Sequence, residues 1–153
     1  MSGPTARSYY DTPPDLASAD GRIAVWLLDR AGPPALLTRT SAAAFDAKMA
    51  RFLAQDADEL LRRTTLEPVP IIHDFSSVRT YESAARQILT DWGKDLGKRM
   101  SSAHIHIGAD APRLVHMAVS VACAALTVLG RQVQPAPDLE RTLRALGVRP
   151  RRR

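Results

Sequence analysis

The feature that most limits what this chain can fold into is an alternation of short strand-forming runs with longer segments of helical spacing. Arg22-Ile23-Ala24-Val25-Trp26-Leu27-Leu28-Asp29 is largely apolar and too short for a typical helix. Asp29-Arg30-Ala31-Gly32 signals a turn, Pro33-Pro34 interrupts any ladder, and Ala35–Thr38 can pair back as a hairpin. From Ser41 to Arg63 the period changes. Phe45, Met49, Phe52, Leu53 and Leu60 share one helical face, while Lys48, Arg51, Asp58, Arg62 and Arg63 occupy others, with Thr40 or Ser41 as the cap. Val69–Phe75 reads as a buried strand, and Ala84–Lys98 as a helix presenting Ala85, Ile88, Leu89, Trp92 and Leu96. Ala103, Ile105 and Ile107 alternate with Ser102, His104 and His106, the period of a strand. Asp110 and Pro112 open a helix that stops at Gly130, Gln132–Gln134 suits an edge strand, and Asp138 caps a last helix over Leu139–Leu146. This order predicts an α/β domain: a mixed, mostly parallel four- to five-stranded sheet with about four helices.

Composition narrows the class. A chain of 153 residues, 45% hydrophobic and 24% charged, suits one folded domain. The formal charge of +5 comes from 21 Lys plus Arg against 16 Asp plus Glu, but Arg149, Arg151, Arg152 and Arg153 lie at the end, leaving 17 basic against 16 acidic residues. A nearly neutral body with a basic end argues against nucleic-acid binding. Cys123 is the only cysteine, so an intrachain disulfide and a thiolate metal cluster are excluded. MSGPTARSYYDTPPD lacks the apolar core of a signal peptide, and His116, Ser120 and Thr127 interrupt Leu114–Leu129, so no transmembrane span and a cytoplasmic location are expected. Residues 1–20, with Pro4, Pro13 and Pro14, read as a flexible N-terminal tail, 21–148 as the domain and 149–153 as a basic C-terminal tail.

The segment Asp74-Phe75-Ser76-Ser77-Val78-Arg79-Thr80-Tyr81-Glu82-Ser83-Ala84-Ala85 resembles the strand-loop-helix signature of STAS domains, the fold of bacterial SpoIIAA-like anti-sigma factor antagonists. Their pattern, Asp-Leu-Ser-Gly-Val, three residues, then Asp-Ser-Ser/Thr-Gly, aligns with it without a gap. Here Glu82 stands for the family's Asp, and Ala84-Ala85 replace Ser/Thr-Gly. The resemblance implies a STAS/SpoIIAA-like fold, no cofactor and no catalysis. It implies a regulatory surface for a protein partner, such as an anti-sigma factor or kinase, framed by Asp74, Ser76, Ser77, Tyr81, Glu82 and Arg86. Ser83 occupies the family's phosphorylated position, where a phosphate would meet a helix N-terminus. SEC14-like proteins share the fold type, which implies an alternative role in binding a lipid or another small ligand.

Two further features compete for a role. His104 and His106 share one strand face and His73 lies near the end of the preceding strand; if those strands are neighbours, as the resemblance implies, three imidazoles could hold zinc with an open fourth position. That gives a metal-dependent activity as a third reading, set against hydrogen-bonded structural histidines. The chain has neither a Gly-x-Ser-x-Gly elbow nor a glycine-rich phosphate loop, so an enzyme is not expected. Val115, Ala118, Val119, Val121, Ala122, Ala125 and Leu126 spread around more than one face of their helix. This surplus predicts a homodimer through Leu114–Leu129, where small residues permit close approach.

Overall fold

The computed structural model describes residues 6–150. Its elements in chain order are α1 (Ala6–Tyr10), β1 (Leu16–Ala17), β2 (Ile23–Leu28), β3 (Ala35–Thr40), β4 (Ala44–Phe45) and α2 (Ala47–Phe52), followed by a π-helical segment (Leu53–Ala57) and α3 (Asp58–Thr64). Then come β5 (Val69–Asp74), β6 (Thr80–Tyr81), α4 (Ser83–Leu96), a 3₁₀ turn (Gly97–Arg99), β7 (Met100–His106), α5 (Arg113–Val128), β8 (Val133–Pro135) and α6 (Leu139–Ala145).

The main sheet has six strands in the order β1-β2-β3-β5-β7-β8. The expected hairpin forms antiparallel as β2 with β3, and β1 adds to its outer edge. The β3–β5, β5–β7 and β7–β8 pairs are all parallel. Alternation along the strands divides the core. Val25, Leu27, Leu36 and Ile71 point to one face, where they meet α2 to α5, while Trp26, Leu28, Leu37 and Ile72 point to the other and pack with Tyr9, Leu139 and Leu143. Both faces of the central strands are therefore covered, which is why β5 is apolar from Val69 to Ile72 and buried at every position, His73 and Asp74 included.

The fold class matches the sequence reading, but several details differ from it. The segment expected as a tail is helical over Ala6–Tyr10 and packs into the body at Tyr9. Tyr9 is fully buried and donates from its hydroxyl to the Val148 carbonyl at 3.2 Å. The Trp26 indole donates to the Thr12 carbonyl at 2.9 Å, and Leu16 pairs with Val25. Aromatic burial and ladder bonds outweigh the turn signal of the prolines. Arg149, expected in the C-terminal tail, bridges to Asp29 through its backbone N–H at 2.9 Å. Arg151 to Arg153 lie outside the described residues.

The first long helix also starts later than Ser41. Ala44–Phe45 pair with Thr80–Tyr81, and the cap is Asp46, whose carboxylate accepts from the Met49 N–H at 2.9 Å. The π segment then winds fewer degrees per residue than an α-helix, so the face beyond it rotates. Ala57, Asp58 and Leu61 turn inward, and Asp58, expected on a polar face, is only 6% exposed. Asp138 does cap α6, accepting from the Arg141 N–H at 3.1 Å. Asp110 does not cap α5 and instead pairs with Arg79 at 3.2 Å.

Candidate functional site

A cavity of about 120 Å³ lies between the sheet and the pair α4–α5. Ile71 and His73 of β5 and Met100, Ala103 and Ile105 of β7 form its sheet wall, with Phe75 just beyond β5. Leu89, Trp92 and Gly93 of α4 face Val115, Ala118, Val119, Ala122 and Leu126 of α5 across it. The two helices approach closely at one end, where a Cβ on Gly93 would sit 3.0 Å from Leu126 Cδ1. Farther along α5 the side chains shrink to Ala118 and Ala122, and the space opens. Those small residues, which the sequence suggests would permit close helix approach, leave room inside the domain. Tyr81 and the exposed Arg86 carry the lining to the surface.

His73 is the imidazole in this otherwise mainly apolar wall. Its ring stacks on Phe75 with centroids 5.3 Å apart and planes at 8°, and tilts against Trp92 at 5.9 Å. Its Nδ1 is 2.7 Å from the Thr38 hydroxyl on the neighbouring strand. Burial penalises the imidazolium and lowers the His73 pKa to about 4, so the ring is neutral near pH 7. A buried neutral histidine makes stability depend on pH in a fixed direction. The unfolded state takes up the proton first, so the contribution is complete above about pH 6.5 and is lost as pH falls toward about 4. One group with this shift is expected to cost about 3 kcal/mol over that interval. Urea unfolding across the range, compared with His73→Phe, checks this, and an equally steep decline in the variant would contradict it.

The three histidines do not form one site. His73 pairs in register with Ile105, whereas Ile72 pairs with His104 and Asp74 with His106. With a side-chain period of two, His104 and His106 therefore face the side of the sheet opposite His73. Each is held structurally. His104 Nε2 meets Ser102 Oγ at 2.9 Å, Gln134 reaches its Nδ1 at 3.2 Å, and His106 Nδ1 donates to the Ala136 carbonyl at 2.7 Å. Among the described residues no group of three or more His, Cys, Asp or Glu side chains is placed to hold a metal ion. The zinc reading is thus corrected by register, which the spacing within one strand does not reveal.

On that opposite face a polar cleft opens at the carboxyl ends of the strands, where parallel sheets commonly bind ligands. Arg39, Asp74 and His106 are consecutive register partners across β3, β5 and β7 and line it together with Ser76 and Tyr10. The Tyr10 hydroxyl donates to Asp74 in a short hydrogen bond, and the Arg39 guanidinium lies 4.4 Å above the tyrosine ring. Burial, then the Asp74 carboxylate, raises the Tyr10 pKa far above the phenolic value, so this hydroxyl remains a donor. Sequence reasoning misses Tyr10 and Arg39 because neither is adjacent to a motif residue. The Tyr9-Tyr10 pair is the available signal.

The expected regulatory surface is divided between these two faces. Asp74 and Ser76 belong to the polar cleft, while Tyr81 and Arg86 line the apolar cavity. The connecting loop is packed closely: a Cβ on Gly108 would come within 3.1 Å of the Ser76 carbonyl. Ser77 is exposed. Glu82 accepts from the Ala47 N–H at 3.1 Å, which ties the start of α4 to α2. Ser83 is exposed as the first residue of α4. On α5, Leu114, Met117, Val121 and Val128 remain exposed as an outer stripe. Among the described residues, no helix is long and apolar enough to cross a membrane.

No protein-family model matches the chain. No curated protein matches it either. Among solved structures it is similar to a DUF3478-family protein with a SpoIIAA-like fold from Shewanella loihica PV-4. The two share 14% identity with a TM-score of 0.60, over 81% of this chain and 93% of that one. The chain therefore has a SpoIIAA-like fold, and at this identity the likeness extends to the fold alone.

Proposed function

We propose that this SpoIIAA-like domain is a binding protein, not an enzyme, and that it takes a small apolar ligand between β5, β7, α4 and α5. The observation that carries this reading is the 120 Å³ cavity, walled mainly by apolar side chains and a neutral histidine, with Arg86 at its mouth. Packed interiors keep few voids larger than a water, and a dry apolar cavity of roughly 150 Å³ is known to bind benzene. Ethylbenzene at about ten times its Kd is expected to stabilise the protein by about 1.4 kcal/mol, a rise of several degrees in Tm. Ala122→Leu places added carbons in the cavity and is expected to abolish that rise while preserving the fold. If a panel of small aromatic hydrocarbons leaves the wild-type Tm unchanged, the cavity is not a binding site.

A second reading, a protein-interaction module switched at Ser83, is favoured by the exposure of that hydroxyl at the start of α4. Phosphate there would meet free backbone N–H groups and lie one turn from Arg86, which lines the cavity. Phosphopeptide mapping of the chain from its native cells is expected to find the modification on Ser83. Consistent absence of it would remove the switch.

A further inference from the structure

On the sheet wall of the cavity the polar side chain is His73, which is held by Thr38 behind it, while Arg86 and Thr90 belong to α4. Thr38 is fully buried, and its hydroxyl meets His73 Nδ1 at 2.7 Å. This is the hydroxyl's hydrogen bond among the described residues, so its proton has Nδ1 as the available acceptor. Turning the pair around, with Nδ1–H as donor, would leave a buried hydroxyl proton without an acceptor, at a cost of about 1–3 kcal/mol. Nδ1 therefore accepts and the ring proton sits on Nε2. Because Thr38 occupies the Nδ1 edge, His73 contributes its Nε2 edge to the cavity wall. His73 is 8% exposed, and Nε2 makes no hydrogen bond to protein among the described residues.

We infer that the ligand is a compact, uncharged molecule carrying one hydrogen-bond acceptor, such as an aryl ketone or ester, whose oxygen accepts from His73 Nε2–H. This rests on the ligand-binding reading above and narrows it. The volume encloses a body about the size of one aromatic ring, and a long acyl chain would have to run out past Tyr81 and Arg86 into solvent. Arg86 lies at the exposed mouth, so a carboxylate placed beside His73, deep among the apolar walls, would lose its hydration without a counter-charge. A hydroxyl or amide donor facing Nε2–H would gain nothing from its proton. The structure thus sets a compact neutral acceptor apart from the long-chain lipids taken by larger apolar pockets.

The test uses the intact protein with three probes: ethylbenzene, its carbonyl counterpart acetophenone, and palmitate. Wild-type protein is expected to bind the two aromatics and not palmitate. In His73→Phe, which retains an aromatic stack on Phe75, the affinity for acetophenone relative to ethylbenzene is expected to fall about three- to tenfold. Nitrogen-15 shifts of the His73 ring in the unliganded wild type give an independent readout, expected to show protonated Nε2 and unprotonated Nδ1. Absence of binding by both aromatics would remove the ligand-binding reading and this inference together. Ethylbenzene binding with an unchanged acetophenone ratio in His73→Phe, or an Nδ1–H tautomer, would overturn the inference and leave the cavity reading standing. Palmitate binding would overturn the size limit. If His73→Phe does not fold, the tautomer measurement decides.

Discussion

Replacing Asp58 by alanine is expected to lower the unfolding free energy by about 3–5 kcal/mol, a large fraction of a domain's net stability. Asp58 Oδ1 accepts from the Trp92 indole at 3.0 Å and from Arg99 at 2.8 Å, and Oδ2 meets Arg62 at 2.7 Å. One carboxylate thus joins α3 to α4 and to the turn before β7. Alanine would leave a buried indole N–H without its acceptor and Arg99 without its counter-charge. Asparagine at the same position would retain an acceptor for Trp92 but lose the charge and turn the oxygen facing Arg62 into an NH2 donor, so Asp58→Asn is expected to cost about 1.5–3 kcal/mol. Urea unfolding at pH 7 checks the order, and Asp58→Ala within about 0.5 kcal/mol of wild type would refute it.

The acid limb adds a sign to the same prediction. Burial alone would raise the Asp58 pKa, but hydrogen bonds from Trp92 and Arg99 and the charges of Arg99 and Arg62 outweigh it and hold the carboxyl below its ordinary value. The bridge's contribution is complete above the unfolded carboxyl value of about 3.9 and is lost as pH falls through the lower folded value. That loss lies below the His73 interval, which ends near pH 4. Acid destabilisation should therefore show two stages, with Asp58→Ala reducing the lower, to which Asp20 and Asp46 also contribute, and His73→Phe reducing the upper.

Asp58 also shows where sequence periodicity stops being informative. A period of 3.6 places it among Lys48, Arg51 and Arg62, and that assignment holds only if the helix is uniform. The π segment at Leu53–Ala57 breaks the assumption, and nothing in Leu-Ala-Gln-Asp-Ala announces it. The central strands were legible because double-sided burial makes them apolar and alternation fixes their faces, so Val69–Phe75 and Ser102–Ile107 were found nearly in place. Ala44–Phe45 and Thr80–Tyr81 were not, since two residues carry no period. The site was less legible than the fold for the same kind of reason. That His104 and His106 share a face follows from their spacing, but whether His73 joins them depends on the β5–β7 register, a tertiary quantity. The surplus apolar surface of α5 was visible, whereas its division into a cavity wall at Ala118 and Ala122 and an outer stripe at Met117 and Val121 required the position of α4.

Tyr9→Ala is expected to cost about 3–5 kcal/mol, the range for deleting a large buried aromatic side chain. A solvated tail would make the same substitution neutral within about 0.5 kcal/mol, so the two descriptions of the N-terminal segment differ by several kcal/mol. The tyrosine is fully buried among Leu28, Leu37, Leu139 and Leu143, in the smaller core on the far side of the sheet from the cavity. Its hydroxyl bond to Val148 is a minor part of this, so Tyr9→Phe is expected to cost about 1 kcal/mol. Losing this anchor also loosens the neighbouring chain around Asp15. That residue donates its N–H to the Val25 carbonyl at 2.8 Å and accepts from the Leu27 N–H at 2.7 Å, so the segment covers the outer edge of β2. An uncovered edge strand carries unpaired backbone groups that recruit other chains. Tyr9→Ala should therefore both lower the urea midpoint and increase aggregation on heating, with Tyr9→Phe close to wild type in both. A Tyr9→Ala protein with wild-type stability would return residues 6–20 to the status of a tail.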